Sequence, residues 1–79
     1  MNQEIFDTLA ARCAYIWGCD VSEVTPETTF EEHDTKSGQI SSMTTHLEDE
    51  FDLEVPYMQF KRCKTVGEAV DFVAGLLEE

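Results

Sequence analysis

From Ile5 onward the apolar residues recur at Ile5, Phe6, Leu9, Cys13, Ile16 and Trp17, a spacing of three and four that lays one stripe along a helix and fits no strand. Asn2 precedes the stripe as a cap, and Gly18 follows its last member, where a left-handed C-terminal residue costs glycine least. From Cys19 to Lys36 the chain carries Pro26, a cluster of threonines and several acids without any period, which predicts a long loop. Val21, Val24 and Phe30 are its isolated apolar residues and are expected to pin it to the core. Ile40, Met43, Leu47 and Phe51 then line one face of a second helix, expected over about 38–51. Pro56 suits the first turn of a short third helix through Tyr57, Met58 and Phe60, because its missing N–H costs nothing there. Thr65 and Glu68 form a capping box, and Val66, Ala69, Val70, Val73, Leu76 and Leu77 continue at helical spacing in a fourth helix. No alternating apolar pattern and no repeat interrupts this series, so the fold class is all-α: a four-helix bundle with a long first loop and a short third helix. The predicted core comprises Phe6, Leu9, Cys13, Val24, Phe30, Ile40, Met43, Leu47, Phe51, Val55, Phe60, Val70 and Val73.

Length and charge narrow the function. Seventy-nine residues suggest a single domain over 1–79, with little room for a catalytic scaffold or a nucleotide-binding fold. Seventeen acids against five bases give a formal net charge of −12, a field that repels nucleic acid and anionic lipid and favours basic partners. Cys13, Cys19 and Cys63 leave one thiol unpaired however two are joined, and no signal or membrane-spanning stretch is evident. A reducing, cytoplasmic setting and a monomer are therefore expected, with neither membrane nor nucleic-acid partner.

Most of the chemistry such a chain could carry fails on spacing. With Gly38 at the sixth position of a calcium loop, His33, Thr35 and Ser37 fall on the ligand positions and Thr44 on the twelfth, so the motif is not met. The three cysteines, His33 and His46 lack the short paired spacings of a zinc site, and no metal is expected. No nucleophile elbow or oxyanion loop appears, and no catalytic residue is assigned. His46 lies at the edge of an apolar face, the place of a boundary side chain. The acids Glu48, Asp49, Glu50, Asp52 and Glu54 crowd the C-terminal end of the second helix, where the macrodipole is already negative. That disfavoured position hints at a binding role. Ser37, directly before the second helix, is in the place of an N-cap.

The local sequence adds a further meaning to Ser37. Gly18 to Phe30, GCDVSEVTPETTF, resembles the end of helix one and the loop anchors of the acyl carrier proteins. LEDEFDLEVP from Leu47 resembles their LEEEFDxEIP signature, and KTVGEAVDFV from Lys64 resembles the opening of their fourth helix. In the register set by Phe51, the family's modified serine falls on Ser37. The resemblance implies a carrier, not an enzyme, with a covalent 4′-phosphopantetheine arm on Ser37 that holds an acyl group as a thioester. It also implies partners, a phosphopantetheinyl transferase and acyl-handling enzymes with basic patches, meeting Lys36, Gly38, Ile40, Met43, Leu47 and Glu48. The family's serine sits in Asp-Ser-Leu, whereas here Lys36 and Gly38 flank it and the loop from Phe30 is one residue shorter. Those departures suggest a specialised pathway of the fatty-acid or polyketide kind. The alternative is a carrier-like interaction module that has lost the arm and uses its acidic face.

Overall fold

The computed structural model describes residues 1–78. It is all-helical, with α1 over Gln3–Trp17, α2 over Ser37–Phe51, α3 over Tyr57–Lys61 and α4 over Val66–Leu77. Helix α1 packs against both α4 and α2, and α2 against α3. The apolar stripes that made each helix legible meet in the middle. Ile5, Leu9 and Cys13 of α1, Met43 and Leu47 of α2, Phe60 of α3, and Val66, Ala69, Val70 and Val73 of α4 are essentially without solvent exposure.

The helix ends follow local chemistry. The Asn2 carboxamide oxygen accepts from the Ile5 amide at 3.1 Å, and Gly18 closes α1 at φ 70°. In α4 the Thr65 hydroxyl accepts from the Glu68 amide at 3.1 Å. The return bond of the expected capping box is displaced by one residue, because the Glu68 carboxylate accepts from Lys64 N instead. Pro56 is the N-cap of α3, extended at ψ 118°, and not its first helical residue.

The long loop is more ordered than its lack of period suggested. Two 3-10 turns, Val21–Glu23 and Glu31–His33, interrupt it. Each rests on an acid that reaches back three residues: Glu23 accepts from Asp20 N at 3.0 Å, and Glu32 from Thr29 N at 2.6 Å. Val24 and Phe30 do anchor the loop in the core, but Val21 is 50% exposed because it belongs to the first of these turns, which holds itself together through side-chain caps. The loop is also tied to α4. Thr29 and Thr65 form a lone antiparallel bridge, and Val66 N donates to Thr28 O and Gly67 N to Pro26 O, each at 2.9 Å.

Two predicted core residues, Phe6 and Phe51, are half-buried and pack on the core edge. Ile5, Val66 and Ala69, absent from the predicted core, are fully buried. At Ile5 and Phe6 adjacent apolar residues compete for one inward position, and the helix can turn only one of them fully inside.

Candidate functional site

Ser37 is the first residue of α2, and the N-cap is Lys36, extended at φ −89° and ψ 161°. The expectation that Ser37 itself caps the helix is therefore corrected. The capping function passes to the backbone and to Gln39. The Lys36 carbonyl accepts from the amides of Gln39 and Ile40 at 3.0 Å, and Gln39 Oε1 accepts from Lys36 N at 2.8 Å. The Ser37 hydroxyl is consequently not consumed by a cap.

Ser37 and Gly38 are both exposed. Among the described residues no acceptor meets their two amides, which belong to the open first turn that every helix leaves unsatisfied. Those amides and the positive end of the helix dipole favour an anion at this point. Apart from its chain neighbours and its own helix backbone, nothing lies within 4 Å of where a Cβ on Gly38 would stand, so the surface next to Ser37 is open on that side. Lys36 is not a free positive charge, since its ammonium meets Asp34 Oδ2 at 2.6 Å on the surface.

The segment that delivers Ser37 is clamped at Thr35. The Thr35 hydroxyl donates to Phe30 O at 2.8 Å and accepts from Trp17 Nε1 at 3.0 Å. The Trp17 indole stacks on His33, with centroids 3.9 Å apart and planes 4° from parallel, and meets Phe30 edge-on at 6.1 Å. Helix α1 thus fixes the loop two residues before the serine. This clamp was not foreseen; Trp17 was legible only as the last apolar residue of its stripe.

The remaining expected contact residues fall into two groups. Met43 and Leu47 are fully buried and Ile40 nearly so, because they form the inward stripe that holds α2 to the core. In this conformation they face the inside of the bundle and are not presented on its surface. Glu48 is half-buried, and its Oε2 accepts from Val55 N at 2.9 Å. That bond closes the turn after α2 and gives a structural reason for an acid near the helix C-terminus. Only Lys36, Gly38 and Ser37 of the expected set stand together on the surface. His46, the expected boundary residue, is half-buried with Nδ1 3.0 Å from an Arg12 guanidinium nitrogen.

A cavity of about 550 Å³ is lined by residues on either side of Ser37 in the chain, though not by Ser37 itself. Its lining includes Phe30, Thr35 and Ile40, the last two bracketing Ser37 in the chain, together with Lys61 at the end of α3 and Arg62, Cys63 and Lys64 from the α3–α4 connection. The thiol of Cys63 is raised above its ordinary pKa by burial and then by the neighbouring Glu68, which keeps it protonated and a poor nucleophile. The closely spaced cations at 61, 62 and 64, in a chain otherwise so acidic, were the sequence signal for this wall.

A family model described as a phosphopantetheine attachment site matches residues 7–73. An acyl carrier protein of Myxococcus xanthus is 35% identical over 75 residues, covering 94% of this chain and 95% of the relative. One from a Picosynechococcus strain is also 35% identical, over 94% of this chain and 93% of its own length. A third, from Rubrobacter xylanophilus, is 36% identical over 91% of this chain and 90% of its own.

Proposed function

The chain belongs to the acyl carrier protein family, a family of carriers that bear a covalent 4′-phosphopantetheine and catalyse nothing themselves, and from that premise we propose that Ser37 is the residue that bears the arm. The observation that carries this reading is the exposed Ser37 hydroxyl in the first turn of α2, beside two amides without an acceptor among the described residues. Ser41 and Ser42 are exposed as well, but they lie in the second turn, where the helix has taken up its own amides.

The residues present suit the group. Ser37 Oγ would hold it through a phosphodiester, and the amides of Ser37 and Gly38 favour the phosphate charge. The bound arm supplies a terminal thiol that keeps an acyl group as a thioester. Gly38 leaves the surface next to the hydroxyl open on its side, and the Trp17–Thr35 clamp keeps it at a defined place on the surface.

Family members work with phosphopantetheinyl transferases and acyl-handling enzymes. For this chain we take these partners to carry basic patches, because a surface with 12 excess negative charges attracts them quickly and releases them readily in salt. A monomer acting in the cytoplasm, in a specialised pathway, completes the reading. No helix among the described residues is long and apolar enough to cross a membrane.

Incubation with coenzyme A and a permissive transferase is expected to add one arm, detected by intact mass. Ser37→Ala should abolish the addition, while Ser41→Ala and Ser42→Ala leave it intact. Addition that persists in Ser37→Ala would overturn the assignment.

A further inference from the structure

We propose that the cavity lined on either side of Ser37 in the chain receives the far end of an acyl cargo that terminates in a carboxylate. This rests on the reading of Ser37 as the attachment residue and assigns a cargo class to it.

Three of the five cations in the chain, Lys61, Arg62 and Lys64, line this one cavity. Among the described residues none of the three lies within 4.0 Å of a carboxylate; the ion pair there joins Lys36 to Asp34. In a chain with 17 acids against five bases, three cations without a carboxylate partner share this one lining, Lys61 with its ammonium also 5.9 Å from the Tyr57 ring centroid. Two acids share the lining, Glu31 and Asp34. Asp34 is already met by Lys36 at 2.6 Å, which leaves Glu31 as the one acid of the lining without a cation within 4.0 Å.

The rest of the lining sets the size and polarity of the guest. The volume lies in the range of small-molecule sites, which pair apolar walls with a few placed polar groups. Phe30 and Ile40, the latter one turn along α2 from Ser37, supply apolar lining, and the three cations line the same cavity. A chain ending in a methyl group would displace part of the water around ammonium and guanidinium groups and offer them no bond in exchange. One ending in a carboxylate keeps its methylenes on Phe30 and Ile40 and exchanges water for charge-assisted hydrogen bonds at its tip, with Arg62 able to bind both oxygens at once.

The test compares cargoes of matched length on the arm of the full chain: hexanoyl against adipoyl, and octanoyl against suberoyl. Two readouts are taken, the amide chemical shifts of Phe30, Thr35, Cys63 and Lys64, and the rate of thioester cleavage by hydroxylamine, normalised to the free pantetheine thioester of the same acid. Adipoyl and suberoyl should move those amides and be cleaved about threefold to fivefold more slowly than their methyl-ended counterparts, the range expected of partly exposed ion pairs. The gap should narrow in high salt. It should vanish when Lys61→Gln, Arg62→Gln and Lys64→Gln are combined; all three side chains are exposed, so the fold and the hexanoyl rate should be unchanged. Equal protection of both end groups, or a gap that survives the triple substitution, overturns the cargo assignment and leaves Ser37 attachment standing. Intact mass before loading reports the other failure: an arm absent from Ser37 overturns the attachment reading and the cargo assignment with it.

Discussion

At position 38 the family's leucine is replaced by a residue with no side chain, in a helical turn with open space around it. Gly38→Leu therefore adds apolar surface from a Cβ that meets nothing and removes a helix penalty of up to about 1 kcal/mol. Buried against a transferase, that leucine is worth on the order of 1 to 2 kcal/mol. Lys36→Asp would break the pair with Asp34 and put a second acid beside Ser37, drawing a basic transferase in faster at low salt while repelling the incoming phosphate. The double substitution is expected to raise the initial rate of arm attachment, with the charge contribution fading across a salt series; an unchanged rate at every salt would show that these departures do not limit recognition. A second residue-scale effect concerns Cys13, whose thiol is pushed up to about 12 by burial and then by Cys19. In the unfolded chain it ionises near 9.0, so above that pH the unfolded state loses a proton that the folded state keeps. Stability should hold level below pH 9 and fall from there toward 12, by at most about 1.4 kcal/mol per unit. Melting curves of Cys13→Ala should lack that part of the alkaline slope. Ser37 was legible because Phe51 sets a register against a known motif. The mistake about its role as cap arose because serine at a helix boundary suits both Ncap and the first turn, and only the backbone of Lys36 decides between them.

Among the elements, α2 carries the most informative ends. Asp52 closes it in the left-handed region at φ 52°, with a negative charge at the negative end of the helix dipole. Asp52→Asn keeps a side chain that tolerates this conformation and removes the charge, and should raise stability by about 0.5 kcal/mol at low salt. Chemical denaturation of the pair at two ionic strengths checks both the sign and its decay. At the start of α4 the opposite holds for Gly67: an added Cβ would stand 3.0 Å from Pro26 O, the oxygen that already accepts from Gly67 N. Gly67→Ala should destabilise despite alanine's better helix propensity, by about 1 kcal/mol, because the backbone it meets is held by its own hydrogen bond. The four helices were readable since each had to bury a stripe, and burial leaves a period of 3.6 in the sequence. The loop was not, because its order comes from Asp20 with Glu23 and Thr29 with Glu32, two short acid-capped turns that bury few side chains and so leave no period. Those pairs spell the same three-residue offset as Thr65 and Glu68, and that offset was the available signal.

Over the whole molecule the dominant quantity is charge. Sixteen of the 17 acids lie among the described residues, and in a molecule with extents of 32 × 24 × 19 Å they repel one another across distances comparable to the Debye length of about 8 Å at physiological ionic strength. Melting temperature should rise from low to moderate salt, and a flat response would contradict the self-repulsion account. The Lys61–Lys64 wall departs from this background. Its cations are close neighbours in the sequence, a signal the periodic reading passed over, and their meeting with Phe30 and Ile40 depends on how α3 returns to the long loop, which no local pattern encodes. The account as a whole stands on one bond, the phosphodiester at Ser37. Intact mass of the chain purified from its native host, followed by peptide mapping, tests it most directly. The result expected is a single phosphopantetheine arm located on Ser37, while an unmodified chain, or an arm on Ser41 or Ser42, would contradict it.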